Sequence, residues 1–137
     1  MKKLGLIGGM SWESTVSYYQ MINRAVNEKL GGFHSAKILL SSVDFAEIEG
    51  LQRAQAWSEM ATLLHAEAKA LTTAGADAIV ICTNTMHKVA DEVASNLPIP
   101  LLHIADATGA VLVNDSVKKV GLLGTKFTME QTFYTER

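Results

Sequence analysis

Short continuous apolar runs, separated by longer segments of helical period, limit this chain to one class of fold. The runs Lys3–Ile7, Lys37–Val43, Ala78–Cys82, Pro100–Ile104 and Lys119–Leu123 are rich in Val, Ile and Leu, and small or polar residues follow each. A strand that is apolar at successive positions has to be covered on both faces, as in a parallel sheet packed between helices. The expectation is therefore an α/β chain, a doubly wound parallel sheet of about five strands with helices on both faces.

The intervening segments carry the matching signal. Tyr19, Ile22, Val26 and Leu30 recur along one face of a helix that Gly31-Gly32 would end. Trp57, Met60, Leu64, Ala68 and Leu71 form a longer stripe with Gly75 at a left-handed C-terminal cap, and this stripe reads as core. Met86, Val89, Ala90 and Val93 face inward on a third helix that stops before Pro98. A fourth helix is expected over about 105–114, and Thr128 with Gln131 resembles a capping box opening another.

Composition removes several classes of function. The 137 residues hold 12 Lys and Arg against 14 Asp and Glu, a formal charge of −2, which is no footprint for nucleic acid. No apolar run reaches the ~18–20 residues that cross a bilayer, and the one after Lys2-Lys3 is broken by Ser11-Trp12-Glu13 before a secretory signal forms. A single cysteine makes no internal disulfide, so a cytoplasmic location is expected, and no Cys/His cluster has metal-ligand spacing.

Chemistry is expected at the carboxyl ends of the strands. The first run ends in Gly5-Leu-Ile-Gly8-Gly9-Met10-Ser11. That turn either holds an anion at a helix start or simply lets a strand reverse tightly into a helix. It lacks the G-x-G-x-x-G spacing of a dinucleotide site, so no nucleotide cofactor is expected. The third run delivers the only thiol, Cys82, followed by Thr83-Asn84-Thr85. A thiol at a helix N-terminus has its pKa lowered toward neutrality, and the three polar residues can bind a carboxylate. A buried, inert cysteine is the plain alternative. His87 and His103 are the nearby acid–base candidates, whereas His34 and His65 read as loop and helix-surface residues. Asp44, Glu47 and Glu49 suggest paired carboxylates, a magnesium site or a solvated loop.

The strings Gly5-Leu-Ile-Gly-Gly-Met-Ser-Trp-Glu-Ser14, Cys82-Thr-Asn-Thr-Met-His-Lys88, Leu101-Leu-His-Ile-Ala-Asp-Ala-Thr108 and Gly121-Leu-Leu-Gly-Thr125 together resemble the aspartate/glutamate racemase family. The resemblance implies a two-lobed fold and cofactor-independent inversion of aspartate or glutamate, without pyridoxal phosphate. Two cysteines would share the α-proton transfer. It implies Cys82 as one catalytic cysteine, with Met10, Gln52, Arg53, Thr83, Asn84, Thr85 and Thr125 as substrate contacts. Arg53 would bind the distal carboxylate. The second cysteine of the family, in a Gly-Cys-Thr-Glu motif, has no counterpart here. Residues 1–98 would then be a first lobe and 99–137 the start of an incomplete second one.

Three readings follow from that gap. A lone Cys82 exchanges an α-proton without inversion, a homodimer brings two thiols together, or the chain is a non-catalytic module that binds a small dicarboxylate. A related enzyme acting on another carboxylate, such as a hydantoin racemase or maleate isomerase, is a further alternative.

Overall fold

The computed structural model describes residues 1–136, so Arg137 lies outside the described residues. The elements run β1 (Lys3–Gly8), α1 (Trp12–Leu30), β2 (Lys37–Ser42), α2 (Phe45–Arg53), α3 (Trp57–Thr73), β3 (Ala78–Ile81), a 3-10 helix (Thr85–Val89), α4 (Ala90–Ala94), α5 (Ile104–Asn114) and α6 (Lys126–Glu130). The three strands make a parallel sheet in the order β2-β1-β3.

β1 lies between two partners and its last four residues are buried, as a covered central strand requires, whereas edge strand β2 is only half-covered. Side chains alternate across the sheet. A Cβ on Gly5 would meet Leu71 of α3, and one on Gly8 would meet Thr15 of α1, so the two helices cover opposite faces. Most of the core lies on the α3 side, where Met60, Leu64, Ala68 and Leu71 are buried against Ile7, Ile79 and Ile81. Burial of each large aliphatic side chain there contributes about 1.5–3 kcal/mol.

The stripe of α3 is core as expected, with Trp57 only partly buried at its start. Gly75 takes φ +89° just past the end of α3, and Gly31 takes φ +73° after α1 while its N–H bonds Asn27 O at 2.7 Å. The α1 stripe is less deeply placed. Ile22 and Val26 are half-buried, but Tyr19 and Leu30 are exposed, because α1 packs mainly on β1 through Thr15.

Two expected strands are absent. Pro100–Ile104 contributes a single parallel bridge, Leu101 to Ile79, with Ile79 N donating to Pro100 O and Leu102 N to Ile79 O. Prolines at 98 and 100 remove ladder donors, and His103 already caps α5, so no length remains for a strand. The 119–123 run has no ladder partner among the described residues, and Leu123 is 90% exposed.

The remaining differences are local. Asp44, Glu47 and Glu49 belong to helix α2 rather than a loop; Asp44 is its cap, accepting from Ala46 N at 3.0 Å. The helix at the C-terminal side is capped by Thr125, with Thr128 one turn inside it. His65 is half-buried, its Nδ1 3.0 Å from Val93 O, while His34 is exposed in the loop before β2.

Candidate functional site

β1 and β3 release their chains side by side. Cys82 N donates to Ile7 O at 2.9 Å, which carries the β1–β3 register one step beyond Ile7–Ile81 and sets Cys82 opposite Gly8. The thiol therefore faces the α1 side of the sheet. The Gly8-Gly9-Met10 turn lies beside it.

That turn is closed by packing. A Cβ at Gly9, whose φ is +92°, would stand 2.2 Å from Val43 O, and Gly9 N donates to buried Thr15 Oγ1 at 3.0 Å. The glycines thus allow β1 to turn tightly against β2 and α1, and the Gly9 donor is already engaged. Ser11 caps α1, and Ser14 Oγ of its first turn donates to Cys82 O in a short hydrogen bond. The N-terminal turn of α1 thereby grips the backbone of the cysteine.

Cys82 is fully buried. Burial pushes its pKa up from the ordinary 9.0 to about 12, opposite to the lowering expected of a helix N-terminus. The physical reason is that the chain after the thiol forms a 3-10 helix of five residues starting at Thr85, not a long α-helix, so little dipole opposes desolvation. Tyr18, half-buried on α1, has its phenol pushed above 10.0, first by burial and then by neighbouring Cys82 and Tyr134.

The expected contacts divide into two groups. Thr83 is half-buried, Asn84 exposed and Thr85 buried. Thr125, distant in sequence, comes to Thr85 with 3.3 Å between hydroxyls, and Thr128 Oγ1 is 3.2 Å farther along from Thr125. Met10 is buried at the end of the glycine turn. Gln52 and Arg53 stand apart on the last turn of α2. There Arg53 is exposed and binds both Glu49 carboxylate oxygens, at 2.6 and 2.7 Å, which raises its pKa.

His87 and His103 are both buried, their rings 4.5 Å apart edge to face. His87 Nδ1 is 2.8 Å from Thr83 O, and its Nε2 accepts from Ile104 N at 3.3 Å. Only the Nδ1–H tautomer satisfies both, so the ring cross-links the thiol-bearing turn to the start of α5. His103 Nδ1 accepts from Ala105 N at 3.1 Å and caps α5. These are structural uses of two residues that sequence reasoning had weighed as acid–base groups. Among the described residues no three His, Cys, Asp or Glu side chains converge as metal ligands, and no helix is long and apolar enough to cross a membrane.

Sequence reasoning missed Tyr18, Tyr134 and the contact of Phe127 with Trp57, whose rings meet edge to face at 5.6 Å, with Lys88 Nζ 3.9 Å from the Trp57 centroid. Ser14 belonged to a recognised string, but its bond to Cys82 bridges 68 residues and no local signal announces it.

The model of the Asp/Glu/hydantoin racemase family matches residues 7–137. The chain belongs to that family. Among solved structures, racemase relatives share its fold throughout. A Yersinia pestis protein assigned as an Asp/Glu racemase is 59% identical over the whole chain with a TM-score of 0.96. An aspartate racemase homologue of Pyrococcus horikoshii OT3 is 37% identical over 99% of the chain, TM-score 0.89. An aspartate racemase of Picrophilus torridus is 26% identical over 99% of the chain, TM-score 0.78. The chain spans 60%, 59% and 58% of those three chains, respectively.

Proposed function

We propose that this chain is the cysteine-bearing first lobe, residues 1–98, and the opening part, from residue 99, of the second lobe of an aspartate/glutamate racemase that works without pyridoxal phosphate. Cys82 is the group that removes and returns the α-proton. The observation that carries this reading is the placement of the sole thiol at the carboxyl end of β3, beside the β1 turn and three residues before Thr85, whose hydroxyl meets that of Thr125. In sheets of this type ligands bind at that end.

The chemistry follows from those neighbours. A thiolate at Cys82 takes the α-proton of the bound amino acid, leaving the electron pair on the α-carbon conjugated with the carboxylate. The hydroxyls of Thr83, Thr85 and Thr125 and the amide of Asn84 donate to that carboxylate and stabilise the charge that develops on it. Met10 and Gln52 line the substrate, and Arg53 gives up Glu49 to bind the distal carboxylate. A reducing, cytoplasmic setting suits a catalytic free thiol.

Since the chain has one cysteine, Cys82 returns a proton to the face from which it came. In D2O that proton is replaced by deuterium, and configuration is retained. NMR of L- and D-aspartate and glutamate in D2O, with the protein and with Cys82→Ala, tests this. Deuteration of one enantiomer, lost in the variant, is the expected result. Inversion lost in the variant means that two copies or another acid complete the site.

Full burial of Cys82 and its raised pKa favour a second reading, a non-catalytic module that binds a dicarboxylate. Substrate binding with no deuteration at any pH supports that reading and removes the first.

A further inference from the structure

Parallel strands pair through evenly spaced hydrogen bonds, and a residue in the ladder turns both its N–H and its carbonyl to the same neighbour. With Cys82 opposite Gly8, two bonds are called for, Cys82 N to Ile7 O and Gly9 N to Cys82 O. The first is made, at 2.9 Å. The second is missing, because Gly9 N donates elsewhere. The ladder therefore breaks at the sole thiol of the chain.

Both groups of the missing rung are nevertheless satisfied, and by adjacent residues in the first turn of α1. Gly9 N donates to Thr15 Oγ1 at 3.0 Å, and Cys82 O accepts from Ser14 Oγ. Ser14 Oγ has one hydrogen and lies near two carbonyls, Cys82 O and, at 3.1 Å, Ser11 O. Ser11 O also accepts from Thr15 N and from Thr15 Oγ1, at 3.4 and 3.2 Å. Cys82 O, in contrast, has lost its ladder donor, so the Ser14 proton belongs to it. Thr15 is buried and Ser14 half-buried.

We propose that Ser14 and Thr15 are positioning residues for Cys82: their hydroxyls take the two backbone groups of the missing rung and end the β1–β3 ladder at the cysteine. A closed rung would carry β1 on beside β3, where the crevice at the strand ends has to begin. Cys82 O and Thr83 N share one planar peptide, so Ser14 also sets the direction in which the polar residues after the thiol leave the sheet. A thiol that takes an α-proton has to meet its target at about 3–3.5 Å, and a fixed peptide supplies that placement. This use in proton transfer rests on the racemase reading, whereas the interrupted ladder does not.

The test has a structural arm and a catalytic one. In the unmodified chain labelled with 13C and 15N, NMR coupling through the hydrogen bond is expected between Cys82 N and Ile7 C′, and none between Gly9 N and Cys82 C′. A Gly9–Cys82 coupling overturns the proposal, since the rung would then be closed. Cysteine labelled at its carbonyl carbon gives one further reporter, because the chain has a single cysteine. Its line is expected to move upfield in Ser14→Ala and to return in Ser14→Thr. The kcat for α-deuteration of aspartate or glutamate in D2O should fall in Ser14→Ala by on the order of tenfold, less than the ~100-fold of a 1 Å misplacement. KM should stay nearly constant, and Ser14→Thr should restore the rate. A folded Ser14→Ala protein whose carbonyl line stays in place, or whose line moves while deuteration keeps its rate, overturns the proposal. If the unmodified chain deuterates neither amino acid, the racemase reading falls, and the carbonyl line with the couplings decides whether Ser14 and Thr15 hold the cysteine. Should Ser14→Ala fail to fold, the couplings of the unmodified chain decide alone.

Discussion

The hydroxyls of Thr85 and Thr125 stand 3.3 Å apart although 40 residues separate them. Thr85 follows the cysteine strand, and Thr125 caps the last helix, so this one contact joins the end of β3 to the C-terminal segment. Thr128 extends the line of hydroxyls by another 3.2 Å.

A coupled loss is expected when the two threonines are replaced by valine. Thr125→Val also removes the cap of α6, a loss of about 1 kcal/mol by itself. The pair Thr85→Val and Thr125→Val, taken as a double-mutant cycle in urea, should show a coupling of ~0.5–1.5 kcal/mol. Additive losses would mean that the hydroxyls do not interact in solution.

Stability should fall in alkali because of Cys82. The unfolded thiol titrates near its ordinary 9.0 and the folded one at about 12, so the folded state holds the extra proton in between. Its contribution is complete below pH 9 and is lost as the pH rises toward 12. Tyr18, also raised by burial, acts in the same direction above 10.0. Between pH 8 and pH 10.5 the urea-unfolding free energy should drop by on the order of 1 kcal/mol more in the unmodified protein than in Cys82→Ala. Parallel pH curves for the two proteins would refute the burial of a protonated thiol.

Gly9 tolerates no side chain for two reasons, its positive φ and the Val43 carbonyl 2.2 Å from any Cβ. Gly9→Ala is expected to destabilise by more than ~2 kcal/mol, since the turn between β1 and α1 must shift. Gly50→Ala, inside α2 with open space around it, is expected to be neutral or stabilising by up to ~1 kcal/mol. Thermal unfolding of both variants checks the contrast, and equal midpoints would contradict it.

His87 is expected to carry its proton on Nδ1, because Nε2 accepts from Ile104 N. Imidazole 15N shifts report the tautomer directly. His87→Leu leaves Thr83 O and Ile104 N unpaired, at ~1–3 kcal/mol for each buried group. An Nε2–H tautomer, or a leucine variant as stable as the parent, would remove the cross-link.

The alternation of buried strands and amphipathic helices and the core stripe of α3 are legible in the sequence, because both depend on local period and on the surface each element hides. The Cys82-Thr-Asn-Thr string and the strand-end rule pointed to one place before any coordinate. Other features follow from long-range packing. Whether 119–123 becomes a strand depends on a neighbouring ladder, not on its valine and leucines, and among the described residues it has none. The state of the Cys82 thiol depends on what covers it, so a local dipole argument gave the wrong sign once burial prevailed. Both outcomes depend on packing between residues far apart in sequence, as do the contacts of Thr85 with Thr125 and Ser14 with Cys82, which a linear reading cannot contain.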